Sequence, residues 1–161
     1  MAMGKRGDSP FRIYSGPCYV IDQCQDCPVP GYLVMRPVSQ AKSIEELSVE
    51  EQIALGKILA RAVSALDRVV EPLKIYCAQF GERDGPLHFH LFPRTREITG
   101  QYLEENPSER GKVIDGPRLL AWARGRISSC EDLLQMGATI DRLREAMRRS
   151  YRRRVIRRSS F

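Results

Sequence analysis

The chain has 161 residues, 42% hydrophobic and 29% charged, a composition that suits one globular domain with a sizeable core. No apolar run is long enough to cross a bilayer, and the basic residues 1–10 have no apolar segment behind them. Neither a membrane span nor a secretory signal is expected, and the expected location is the cytoplasm. The net charge of +6 is uneven: nine arginines against one acid, Glu145, lie between Arg142 and Arg158, which leaves the rest of the chain slightly acidic.

Residues 1–10 are polar, carry Gly and Pro, and are expected to be disordered. Cys18 to Asp22 reads as a strand, and Gln23 to Pro30 as a turn-rich connection. Tyr32 to Arg36 is a continuous apolar strand ended by Pro37, so the pair forms a hairpin with a long loop. Ser43 to Leu47 has capping-box spacing for one helical turn. Ser48 and Glu51 repeat the device and open a long helix, with Ile53, Leu55, Ile58, Leu59, Ala62, Val63, Leu66, Val69 and Val70 as its apolar stripe. Lys57, Arg61 and Arg68 should face water, and the helix should stop before Pro72.

Lys74 to Phe80 is the next strand, Gly81 to Pro86 a turn, and Leu87 to Arg94 a further strand. After Thr95 the periodic signal weakens, and Tyr102 to Lys112 reads as a loop. Asp115-Gly116-Pro117 can start a short helix that ends near Gly125. Ser129 can cap a last helix with a stripe through Leu133, Leu134, Met136, Ile140, Leu143 and Met147, running into the arginine-rich segment 142–161. Hairpin, long helix and hairpin in that order predict an α+β fold, an antiparallel sheet with one long helix across it and a C-terminal helix behind.

The five cysteines form no disulfide pattern. Cys24 and Cys27 have the spacing of half a zinc site, which Cys18 or the two histidines would have to complete. Cys77 and Cys130 read as small buried hydrophobes.

His88 and His90 are the only histidines in the chain. Side chains alternate along a strand, so Leu87, Phe89 and Leu91 share one face and both imidazoles share the other. Two titratable rings converging on one space are a candidate chemical centre. The alternative is a half-buried strand with two solvated histidines.

The stretch Pro86-Leu87-His88-Phe89-His90-Leu91-Phe92-Pro93-Arg94 resembles the His-φ-His-φ-His-φ-φ motif of the histidine triad (HIT) superfamily, φ being hydrophobic, often followed by Pro-Arg. Pro30-Gly31-Tyr32-Leu33-Val34-Met35-Arg36-Pro37 is similar to that family's Pro-Gly-His-φ-Leu-Val-φ-Pro strand. Residues 44–48 with the long helix, and Gln79-Phe80-Gly81, resemble two further blocks. The likeness covers residues 14 to 98, within a domain expected over 11–98, and leaves 99–141 as an extension packed on it. Two positions depart from the family: Pro86 stands at the first histidine of the triad, and Tyr32 at the histidine that follows Pro-Gly.

The resemblance implies a hydrolase or nucleotidyl transferase that attacks the α-phosphate of a purine nucleotide, such as a dinucleoside polyphosphate or a nucleoside phosphoramidate. It implies His88 as nucleophile and His90 as support, with Gln79, His90 and Arg94 around the phosphate. Ile21 or Leu33 would hold the base, and Asp22 or Asp26 the ribose hydroxyls, although both aspartates suit turns equally well. No cofactor or resident metal is implied, while magnesium would suit a polyphosphate substrate. HIT domains are often homodimers. Pro86 and Tyr32 keep a rival open, a non-catalytic nucleotide-binding module whose arginine tail docks on nucleic acid or another polyanion. A third reading is a metalloprotein that uses His88 and His90, with or without Cys24 and Cys27.

Overall fold

The computed structural model describes residues 9–27, 29–81, 85–126 and 130–149, with only the backbone for 130–135. Five strands form one antiparallel sheet: β1 (Arg12–Ser15), β2 (Tyr19–Gln23), β3 (Leu33–Pro37), β4 (Lys74–Ala78) and β5 (Phe89–Arg94). Their order is β1-β2-β3-β5-β4, so the two predicted hairpins join through β3 and β5. Strand β1 is an addition to the expected set. Its register with β2 shifts between Arg12 and Tyr14, an irregularity that a period-2 reading misses. The helices are α1 (Val49–Val70), α2 (Arg96–Glu105), α3 (Gly116–Arg124) and α4 (Cys130–Arg148). Among the described residues no helix is long and apolar enough to cross a membrane.

Helix α1 starts as expected. The Ser48 hydroxyl accepts from the Glu51 amide, and the Glu51 carboxylate accepts from the Ser48 amide. The same carboxylate, buried, accepts at 3.0 Å from the Ser39 amide, so the cap also fastens the loop that follows β3. At the other end Glu71 adopts a left-handed conformation ahead of Pro72. Ser43 to Leu47 is a turn and not a helix, because the Glu46 carboxylate accepts from the Lys42 amide and never reaches back to Ser43.

The sheet has two differently covered faces. On one, Ile21, Leu33, Met35 and Leu91 pack under Ile58, Ala62 and Leu66 of α1 and Ile140, Leu143 and Met147 of α4. Gly31 leads into β3 with φ +82, and a Cβ there would lie 2.7 Å from the Val70 side chain, so the chain can pass under α1 only as glycine. On the other face Tyr32, Val34 and Phe92 pack against Ile98 and Tyr102 of α2 and Leu119, Leu120 and Ala123 of α3. Trp122 of α3 donates to Glu105 of α2 at 2.7 Å, which locks this second pair of helices together.

Several expectations are corrected here. Ile53 is 77% exposed, since the first turns of α1 overhang the sheet. Arg61 is half-buried with its guanidinium over the Tyr14 ring and does not simply face water. Cys77 is exposed on edge strand β4, while the Cys130 side chain lies outside the described residues. Helix α2 occupies the segment where the signal weakened, capped by the Thr95 hydroxyl on the Ile98 amide, and it reaches Glu105, inside the expected loop. Residues 1–8, Ser129 and the end of the arginine segment, 150–161, fall outside the described residues. Arg142 to Arg148 belong to α4, where Arg144 donates to the carbonyls of Arg12 and Pro10 and ties the helix to β1.

Replacing Glu51 by Ala leaves the Ser39 and Ser48 amides without their acceptor. The expected loss is about 2 kcal/mol, against about 1 kcal/mol for Ser48→Ala. Urea denaturation of the two variants beside the parent measures both.

Candidate functional site

The site begins with the register of β3 on β5. Val34 lies opposite His90, and beyond them Asp22 and Ala78 complete one row across the sheet on the face away from α1. His88 sits one step before β5 on the same face. Leu87, buried beside Ala41 and Leu47 with its amide bonded to the Ala41 carbonyl, anchors that entry to the opposite side. The two imidazoles are 4.8 Å apart edge to face. They line a cavity of about 800 Å³, a size typical of small-ligand sites.

Each ring is held by one hydrogen bond to Nδ1. The His88 Nδ1–H donates to the Pro86 carbonyl at 3.0 Å. A carbonyl only accepts, so the neutral ring keeps its lone pair on Nε2. The Tyr32 hydroxyl lies 2.9 Å from His90 Nδ1. Tyr32 is fully buried, and burial, with the nearby thiol of Cys24, pushes its ionisation far above the usual phenol range. It therefore keeps its proton and donates, which leaves Nε2–H of a neutral His90 as the donor on the free side of that ring. Burial first, and then the neighbouring His88 imidazole and the guanidiniums of Arg124 and Arg36, depress His90 to about 4.

The walls come from three places. Asp22 and Arg36 rise from the sheet, and Asp26 comes from the β2–β3 loop. Phe80 follows β4, its ring 5.6 Å from that of His90. Pro117, Leu120 and Arg124 of α3 close the far side. Asp22 accepts from Arg12 at 2.6 Å and from Arg36 at 3.3 Å.

The structure thus brings together His88, His90, Asp22 and Asp26 but not the other expected residues. Ile21 and Leu33 are fully buried under α1, on the wrong face of the sheet to hold a base. Gln79 is exposed beyond the end of β4 and its neighbours Phe80 and Gly81 line the cavity in its place. Arg94 ends β5 at the far edge, with its guanidinium 6.0 Å from the centre of the Tyr76 ring. Cys24 and Cys27 are buried. The Cys27 thiol, pushed up to about 11 by burial and then by Cys24, donates to the Ala123 carbonyl. Among the described residues no group of three or more His, Cys, Asp or Glu side chains is arranged to hold a metal ion. Arg36, Phe80 and the α3 residues join the lining without being among the expected site residues. Only the position of Arg36 on the same strand face as Val34 could have signalled any of them.

No model of a known protein family matches the chain, and no curated protein does. Solved structures do. A hypothetical histidine triad nucleotide-binding protein from Sulfolobus tokodaii strain 7 superposes with a TM-score of 0.59 at 12% identity, over 86% of this chain and 83% of its own. A histidine triad protein from Bradyrhizobium japonicum gives 0.57 at 19% identity, over 84% and 89%. A HIT-like protein involved in cell-cycle regulation from Bartonella henselae, solved with an unknown ligand, gives 0.55 at 15% identity over 84% of each chain. The chain has the HIT fold. A share of that size cannot be reached without residues beyond Ile98, so the likeness takes in part of the helical C-terminal region as well.

A histidine depressed in the folded state lowers stability wherever the unfolded chain binds the proton and the folded one does not. Stability should therefore be complete above about pH 6.5 and fall as the pH drops towards 4. His90 contributes at most about 3 kcal/mol to that fall. In His90→Gln the loss over that interval should shrink, which urea midpoints measured from pH 7.5 to 4 report. Identical pH dependence in the two proteins would show that His90 titrates normally.

Proposed function

We propose that the protein is a HIT-type nucleotide phosphohydrolase or nucleotidyl transferase that acts at an α-phosphate through a nucleotidyl-histidine. The observation that carries this reading is the bond from His88 Nδ1–H to the Pro86 carbonyl, which makes Nε2 the free nitrogen of a ring in the cavity wall.

In this reading the Nε2 lone pair of His88 attacks the α-phosphorus. A P–N bond forms, and the bond to the leaving group breaks with its electron pair: a phosphate departs as the anion, an amine after taking a proton from solvent. The ring gains positive charge as the new bond forms, and the Pro86 carbonyl stabilises it through Nδ1–H. Charge accumulating on the non-bridging oxygens is met by the Nε2–H of His90. Water, or an acceptor hydroxyl in transfer, then attacks phosphorus and breaks the P–N bond. The proton lost by the attacking oxygen goes to solvent, and His88 returns neutral. No metal takes part in these steps, and magnesium would enter only with a polyphosphate substrate.

Pro86 replaces a side chain but retains the main-chain acceptor that the nucleophile uses. Tyr32 places a hydroxyl against His90. Its task is positioning: a donor at Nδ1 fixes the tautomer that presents Nε2–H. Asp26, exposed at the rim, is the remaining candidate for the ribose hydroxyls, because Asp22 is already engaged by two arginines.

Incubation with diadenosine polyphosphates and adenosine phosphoramidate should give AMP with the parent chain and none with His88→Ala. A base-stable, acid-labile nucleotidyl adduct should appear only in the parent by intact mass. Equal turnover by both proteins overturns the mechanism. Nucleotide binding without turnover or adduct across the panel favours the non-catalytic module. For Tyr32→Phe, kcat should fall about tenfold with little change in KM, the cost of losing one hydrogen bond that orients a catalytic group. The yield of nucleotidyl adduct by intact mass separates this from a general loss of fold, which would lower the adduct yield in proportion to kcat.

A further inference from the structure

Two arginines from elements far apart in sequence line the cavity, beside two aspartates. Arg36 rises from β3 and is braced by Asp22, whose other oxygen is taken by the shorter bond from Arg12. Arg124 closes the opposite wall as the last residue of α3, and no ion pair holds it among the described residues. Asp26, on the exposed loop, is the other carboxylate in the lining. Both guanidiniums act on His90, each lowering its proton affinity, so both arginines reach the imidazole electrostatically.

Resting on the reading of the site given above, we infer that Arg124 and Arg36 together bind a second phosphate, next to the one that meets His88. Arg124 would then set a preference for substrates whose leaving group is a phosphate or polyphosphate chain over those whose leaving group is an amine. A guanidinium suits this task because its planar donors grip phosphate oxygens in pairs and it stays charged at every working pH. In a cavity partly closed to water, each such contact counts for more than on an open surface.

Calorimetry of the full chain with AMP and with α,β-methylene-ADP tests this without relying on turnover, because the methylene bridge cannot be cleaved at the α-phosphate. The second phosphate should tighten binding about tenfold, the worth of one charge-assisted contact. Arg124→Ala should remove most of that advantage, while Arg124→Lys retains part of it. Equal affinity for the two nucleotides in the parent overturns the inference. So does an equal loss for both in Arg124→Ala, since the arginine would then serve the α-phosphate or the nucleoside. AMP binding without a preference leaves the proposed reaction standing, whereas failure of both nucleotides to bind overturns the inference and the proposed function together. A preference in a protein with no His88-dependent turnover overturns the reaction alone.

Discussion

The pairing of β3 with β5 is the constraint on which the site depends. Leu33 meets Leu91, Val34 meets His90 and Met35 meets Phe89, so one register decides which side chains lie under α1 and which face the cavity. A slip of one residue would send His90 into the packed layer beneath Leu66 and bring Leu91 out beside Asp22. It would thus bury an imidazole without a partner and expose a leucine. The register is defended from both faces. Under α1, Leu33, Met35 and Leu91 are entirely removed from water, and on the other face the Tyr32 ring packs edge-on against Phe92 while its hydroxyl reaches His90. Tyr32 therefore couples the core to the histidine pair: its ring belongs to the second apolar layer and its oxygen meets His90.

How much of this was legible follows from what a period-2 pattern can and cannot carry. Leu87 to Phe92 alternates clearly up to His90, so the common face of the two imidazoles could be read directly. The run Tyr32 to Met35 is apolar throughout because β3 is covered on both faces, and such a run does not say which residues look at which layer. The resemblance implies Ile21 or Leu33 at the base, and both lie on the far side of the sheet. The resemblance implies Gln79 at the phosphate, but β4 ends at Ala78, so strand alternation does not extend to Gln79 or Phe80. Helix α2 is hard to read because Gly100 and its acids blur the stripe, while the capping hydroxyl of Thr95 is a single weak signal. Nothing in the sequence near Arg124 indicates that α3 returns to the histidine face. That placement comes from Leu119, Leu120 and Ala123 packing against Tyr32, Val34 and Phe92, a contact formed only in the folded chain.

The two departures from the triad motif differ in what they replace. At position 86 the contact to the next histidine is made by the main chain, and proline lacks an amide hydrogen but not a carbonyl. The bond to His88 Nδ1 is therefore insensitive to that side chain. At position 32 a side chain makes the contact, so its chemistry matters. A histidine there would itself gain or lose a proton near neutrality. A buried phenol held far above its usual ionisation range does not, and it offers His90 the same donor across the whole working range.

The helices on the cavity side give the site its remaining character. Strands alone would present His88 and His90 on an open surface, where water screens charge and competes for every donor. Helices α2 and α3 cover the lower half of that face with apolar side chains. They are pinned to each other by Trp122 on Glu105, and the guanidinium of Arg124 comes at the point where the apolar cover stops. The same packing that shields Tyr32 and His90 from water therefore fixes where a cation can stand. Depressed protonation of His90, a protonated Tyr32 and an arginine on the far wall are three consequences of one event, the docking of α3 against β3 and β5.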